Sequence, residues 1–150
     1  MEKITKLRKL FKKLNLDGYI VPKNNNFFGE YISASEDNLK YISNFTGSAG
    51  FAVILKNKNY MFVDGRYTIQ AGIQCSNQFQ ICTIPKEYPF DIFKKKKLNL
   101  GFDPKLHTEN ALNKFFDSPF VKLRPINENL IDLLWKRVKK LNIKPFYFIK

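Results

Sequence analysis

Apolar residues recur over the first helical-length stretch of the chain at the spacing of one helix face: Ile4, Leu7, Leu10, Phe11 and Leu14, with lysines between them. That period marks an amphipathic helix with one face turned to a core. Asn15 to Gly18 supply the residues that stop it. The pattern then shortens. Gly18 to Val21 reads as a buried strand closed by Pro22. Lys23 to Gly29 is polar and loop-like, with Phe27 and Phe28 as anchors or lids. Ser35 is expected to cap a short helix through Asn44. Glu36 and Asp37 would then stand in its first turn, where acidic side chains suit the helix dipole.

Phe51 to Leu55 and Tyr60 to Val63 flank the polar stretch Lys56 to Asn59, a pattern that predicts a β-hairpin. Beyond it the chain predicts a helix over Arg66 to Gln74, a strand over Phe79 to Ile84 and a short helix over Tyr88 to Phe93. A strand at Leu98 to Phe102 follows, then a helix capped by Thr108 and running to Phe116. Val121 to Ile126 is strand-like, though Pro125 weakens its end. Asn127 is expected to cap a last helix with Leu130, Leu133, Leu134 and Val138 near one face. Helices and strands interleave throughout, so the fold class is α/β, and the hairpin makes the sheet mixed. The expected organisation is one domain over residues 1–140. The apolar tail, residues 141–150, reads as the start of a linker or second domain in a longer chain.

Composition supports this picture and narrows it. The chain has 150 residues, 44% of them hydrophobic, which suits one globular domain with a real core. No apolar run approaches the roughly 18 residues of a membrane span, and the N-terminus lacks the apolar stretch of a secretory signal. No membrane partner is expected. The formal charge of +13 raises the possibility of nucleic acid. Its lysines are scattered, however, and the run Lys94 to Lys97 reads as a solvated turn. No nucleic-acid partner is expected either. Cys75 and Cys82 lack a CxxC spacing and read as small buried hydrophobes in a reduced, cytoplasmic compartment.

Candidate chemistry is sparse. His107, in DPKLHTEN, is the one histidine. It reads as a surface or capping residue, with Asp103 and Glu109 too few to complete a metal site beside it. Ser48, in TGSAG, lacks the glycine placement of a nucleophile elbow. The same loop lacks a phosphate-binding fingerprint and leads into a strand. It reads as a tight turn in close approach to neighbouring backbone. VDGRY is the most informative stretch. Asp64 suits an N-cap and Gly65 relieves the turn, which leaves Arg66 at the helix end that disfavours a cation. Arg66 either pairs with Asp64, Glu30 or Glu36, or faces a cleft and holds a carboxylate or carbonyl with its planar fork.

Taken together, EYISASEDNLKYISNFTGSAGFAVI, YMFVDGRYTIQAGIQC, LGFDPKLHT and PINENLIDLLW resemble the creatinase-type N-terminal domain of Xaa-Pro aminopeptidases (aminopeptidase P), in the long three-domain cytosolic form. The resemblance implies a single creatinase N-terminal-like domain, its mixed β-sheet flanked by helices. It implies an enzyme that releases the N-terminal residue preceding proline. A pair of divalent metal ions, usually manganese, would lie in a C-terminal catalytic domain to which no residue here maps. The chain alone is then expected to be inert and to carry no cofactor. By resemblance Arg66 binds the peptide substrate, Asp64, Gly65 and Tyr67 shape its turn, and Gly47, Ser48 and Gly50 support the same wall. The implied partners are a peptide with proline at its second position, the catalytic domain of the same chain and, at full length, a second copy in a homodimer. Phe51 departs from the resemblance, where a smaller residue, often threonine, follows GSAG. A creatinase-like module without peptidase work, used for binding or assembly, is the alternative.

Overall fold

The computed structural model describes residues 2–137. The elements run α1 (Glu2–Leu14), β1 (Gly18–Pro22), α2 (Asn38–Ser43), β2 (Phe51–Leu55), β3 (Asn59–Asp64), α3 (Thr68–Gln74), β4 (Gln80–Ile84), α4 (Pro89–Phe93), β5 (Leu98–Phe102), α5 (Glu109–Phe116) and β6 (Val121–Pro125). The strands form one six-stranded sheet in the order β4-β3-β2-β1-β5-β6. The hairpin pairs β2 with β3 antiparallel, Phe51 opposite Phe62, and β1 joins β2 antiparallel on its other side. The outer pairings, β3 with β4, β1 with β5 and β5 with β6, are parallel. The sheet is therefore mixed, as its hairpin predicts.

Strand alternation sends successive side chains to opposite faces, and both faces are covered. Tyr19, Val21, Ala52, Ile54, Met61 and Val63 pack with Leu7 and Phe11 of α1 and Leu39 of α2. Ile20, Val53, Tyr60, Phe62 and Leu100 pack on the other side with Phe93 of α4 and with Leu112 and Phe116 of α5. Burial on both faces is why β1 and β2 read as unbroken apolar runs.

Departures from expectation appear where helices begin. The cap of α2 is Asp37, not Ser35: its Oδ1 accepts from Lys40 N at 3.0 Å, while its Oδ2 pairs with Lys23 Nζ. Both side chains of that pair are under one-tenth exposed, so the buried ion pair fixes where the helix begins. Ser35 instead shares an exposed hydroxyl bond with Ser33. The helix expected from Asn127 does not form over the described residues, where Leu130 to Leu134 make turns. Asn129 is the reason. Its Nδ2 is tied to Asp103 and its Oδ1 accepts from Ile131 N, so the chain is pinned to β5's exit before a helix can start. Leu130 and Ile131 still enter the core, and Trp135 stacks on Tyr41 at 4.6 Å. Val138 and the expected boundary after residue 140 lie outside the described residues.

Candidate substrate-binding wall

The wall forms where β3 ends and the loop before β2 crosses it. Gly50 has φ +149, a region that L side chains rarely adopt, and a Cβ there would stand 2.9 Å from Phe62 O. The close backbone approach expected of GSAG is therefore real at this position. Gly65 plays no such part: a Cβ there would meet nothing within 4 Å, and it is not among the positive-φ glycines. The turn is shaped by Asp64 instead.

Asp64 caps a 3-10 turn, Gly65–Tyr67, that leads into α3. Its Oδ1 accepts from Arg66 N at 2.9 Å and from Arg66 Nε at 3.2 Å, and its Oδ2 accepts from Arg66 Nη2 at 2.8 Å. Arg66 lies in that turn rather than in α3 itself. The small cost of a cation near a helix start is offset by the carboxylate two residues before it. The guanidinium holds the Asp64 carboxyl below its usual range. Of the three acidic partners the sequence offered, it is Asp64 that pairs with Arg66. The Arg66 side chain remains 78% exposed.

The loop and α3 are laced together. Ser48 Oγ and Tyr67 Oη share a hydrogen bond of 2.7 Å, and the Tyr67 ring meets Phe45 edge-on. Thr46 N donates to Gln74 Oε1 at 2.9 Å, and Thr46 Oγ1 accepts from Gln70 and Gln74. TGSAG and DGRY, separate in the chain, thus form one surface. The links through Gln70 and Gln74 had no signal in the sequence, since a helical glutamine ordinarily faces water. Beside this surface is a cleft of about 260 Å³ lined by Gly50, Phe51, Asp64, Ile84 and Phe115. A larger hollow, about 290 Å³, is lined by Asn38, Asp103, Asn129 and Arg137. Its polar groups bond one another, Asn129 with Asp103 and Arg137 with Asn38 and Asp132.

The remaining candidates fall elsewhere. Of the surface and capping roles expected for it, His107 takes the capping one: it is half-buried at the C-cap of the turn Pro104–Leu106. It packs edge-on against Phe102 and has a buried Nε2 with no partner among the described residues. Burial lowers its pKa from 6.5 to about 4. Ser48 is bonded to Tyr67 rather than to a base. Cys75 and Cys82 are buried thiols whose pKa values burial raises to about 11 and about 12. Among the described residues no three His, Cys, Asp or Glu side chains gather as metal ligands, so the metal pair implied by the resemblance has no fit here. No described helix is long and apolar enough to cross a membrane.

A mixed sheet covered by helices on both faces, with TGSAG and DGRY joined at one end, defines a creatinase N-terminal-like α/β domain. The model of the creatinase/prolidase N-terminal domain matches residues 3–132, and the chain belongs to that family. It is 33% identical over 143 residues to the protein named Probable Xaa-Pro aminopeptidase P in Coprinopsis cinerea, covering 89% of this chain and 23% of that one. The X-prolyl aminopeptidase of Caenorhabditis elegans, described as a cytosolic enzyme with a di-nuclear active site, superposes with a TM-score of 0.80 at 28% identity. That match covers 92% of this chain and 26% of the other. The N-terminal domain of the cytoplasmic peptidase PepQ of Mycobacterium tuberculosis shares the fold, with a TM-score of 0.68 at 18% identity over 89% of this chain and 98% of that one. The chain spans under a quarter of the length of the curated relatives it matches.

Proposed function

We propose that this chain is the substrate-lining N-terminal domain of a metal-dependent Xaa-Pro aminopeptidase, in which Arg66 holds a peptide whose second residue is proline. Similarity to an Xaa-Pro aminopeptidase P across 89% of the chain supports the activity. One structural observation supports the role of Arg66: its guanidinium is exposed and bonded to Asp64, which lines the cleft where β3 and the GSAG loop meet, on a turn braced by its neighbours. A planar, permanently charged fork in that setting binds a carboxylate or carbonyl oxygen and orients it.

Bond cleavage belongs to a separate catalytic domain of the same protein. Its two divalent ions, manganese in this reading, would supply the activated water. The domain described here binds and orients and is inert alone. The whole protein is read as a cytoplasmic homodimer. The test is Arg66→Ala in the full-length enzyme, assayed on an Xaa-Pro-Xaa peptide. A fall in kcat/KM of about tenfold or more is expected for a lost charge-assisted contact, and an unchanged value removes Arg66 from the site.

A further inference from the structure

Arginine presents two edges to a partner, Nε with Nη2 and Nη1 with Nη2, each able to make a paired contact. Asp64 occupies the first edge through the bonds at 3.2 and 2.8 Å. The same carboxylate is tied down by the backbone N–H of Arg66 as the cap of the turn. On its other flank the guanidinium carbon lies 5.5 Å from the centre of the Tyr67 ring. That ring is held by Ser48 at 2.7 Å and by Phe45. Among the described residues nothing bonds Nη1. The side chain is therefore restrained at one edge while the other is left open to solvent.

We propose that Asp64 is a positioning residue that clamps Arg66 so that its Nη1/Nη2 edge meets a neutral backbone carbonyl of the bound peptide, in preference to a free carboxylate. This rests on the reading of Arg66 as a substrate-binding residue. The preference follows from charge. Asp64 and Arg66 together are formally neutral, and the carboxylate opposes any anion that approaches the pair. A carbonyl needs only the two N–H donors, and those remain. An interior carbonyl of the bound peptide therefore meets the open edge whether or not the peptide's C-terminus is free.

The experiment compares a tripeptide Xaa-Pro-Xaa as free acid and as C-terminal amide, with full-length enzyme and its Asp64→Ser and Arg66→Ala variants. Serine keeps an acceptor for the cap and removes the clamp. Wild type is expected to show similar KM for the two peptides. Asp64→Ser is expected to raise KM for the amide about two- to fivefold, the size of an exposed ion pair, with kcat little changed. It is also expected to shift the ratio of the two KM values toward the free acid, because the guanidinium charge is then uncompensated. A merely structural role would leave that ratio unmoved. In this chain itself, the Arg66 Nε–H resonance should be sharp and shifted in wild type and lost in Asp64→Ser. If Arg66→Ala impairs both peptides while Asp64→Ser leaves the ratio and the Nε–H signal unchanged, the clamp is overturned and the reading of Arg66 stands. If Arg66→Ala changes nothing, the reading falls and the clamp falls with it.

Discussion

His107 shows how burial alone can make a residue pH-sensitive. Desolvation lowers its pKa from 6.5 to about 4, and the nearby Asp103 opposes the shift without cancelling it. Because the folded-state value is depressed, the unfolded chain takes up the proton first as pH falls. Stability is full above the unfolded pKa and declines between about 6.5 and about 4. A shift of that size corresponds to about 3 kcal/mol as an upper figure. Urea unfolding across this range should show the decline, and His107→Leu should flatten the part above the carboxylate titrations. An undiminished slope in the variant would assign the loss to other groups. Gly50 is the second sensitive residue. Its φ of +149 and the 2.9 Å approach to Phe62 O leave no room for a side chain. Gly50→Ala should cost about 2 kcal/mol, whereas Gly65→Ala, which meets nothing, should cost far less. Paired melting curves would distinguish the two.

At the scale of elements, the hairpin carries the most informative departure. Phe51 opens β2 opposite Phe62, with ring centres 4.9 Å apart, and meets Phe115 of α5 at 5.0 Å. A threonine there, as the resemblance leads one to expect, would open a void and bury a hydroxyl. Phe51→Thr should destabilise the domain by about 3 kcal/mol, measured by denaturant midpoint at unchanged slope. The strands and most helices were legible because their apolar periods are long and their punctuation is local. Pro22 closes β1 and Thr108 caps α5 through Ala111 N. What was not legible depended on partners far along the chain. Asp37 outcompetes Ser35 as a cap because Lys23, fourteen residues away, holds it in place. The segment after Asn127 keeps a helical apolar pattern, yet Asn129 is anchored to Asp103 across twenty-six residues. At the site, Asp64 and Arg66 were legible as a local pair, and the Ser48–Tyr67 bond was not, since it exists only once β2 and β3 have paired.

At the scale of the molecule, the charge balance sets how the scaffold responds to its medium. The chain has 26 Lys and Arg against 13 Asp and Glu. Several of those acids are already engaged: Glu2 with Lys6, Asp17 with Lys56, Asp37 with Lys23, Asp64 with Arg66 and Asp132 with Arg137. Many of the surplus cations therefore face one another and water, as Lys94, Lys95 and Lys97 do at the exposed turn after α4, where Lys96 alone turns back to the Tyr60 hydroxyl. Self-repulsion of this kind destabilises a compact state and is screened by salt. The screening length falls from about 30 Å at 0.01 M to about 8 Å at 0.15 M ionic strength. Over that interval the melting temperature should rise by about 2–5 °C. Screening also weakens the exposed ion pairs, but each contributes little, so the repulsive term should dominate. A basic groove built for nucleic acid would behave differently, with tight duplex binding and a steep salt slope. Scattered lysines lack the aromatic and arginine lining of such a groove, so duplex DNA titrated at about 0.15 M salt should show no specific binding. A melting temperature that falls with salt would mean that the ion pairs outweigh the repulsion, and a saturable DNA complex at that ionic strength would mean that these cations serve a partner.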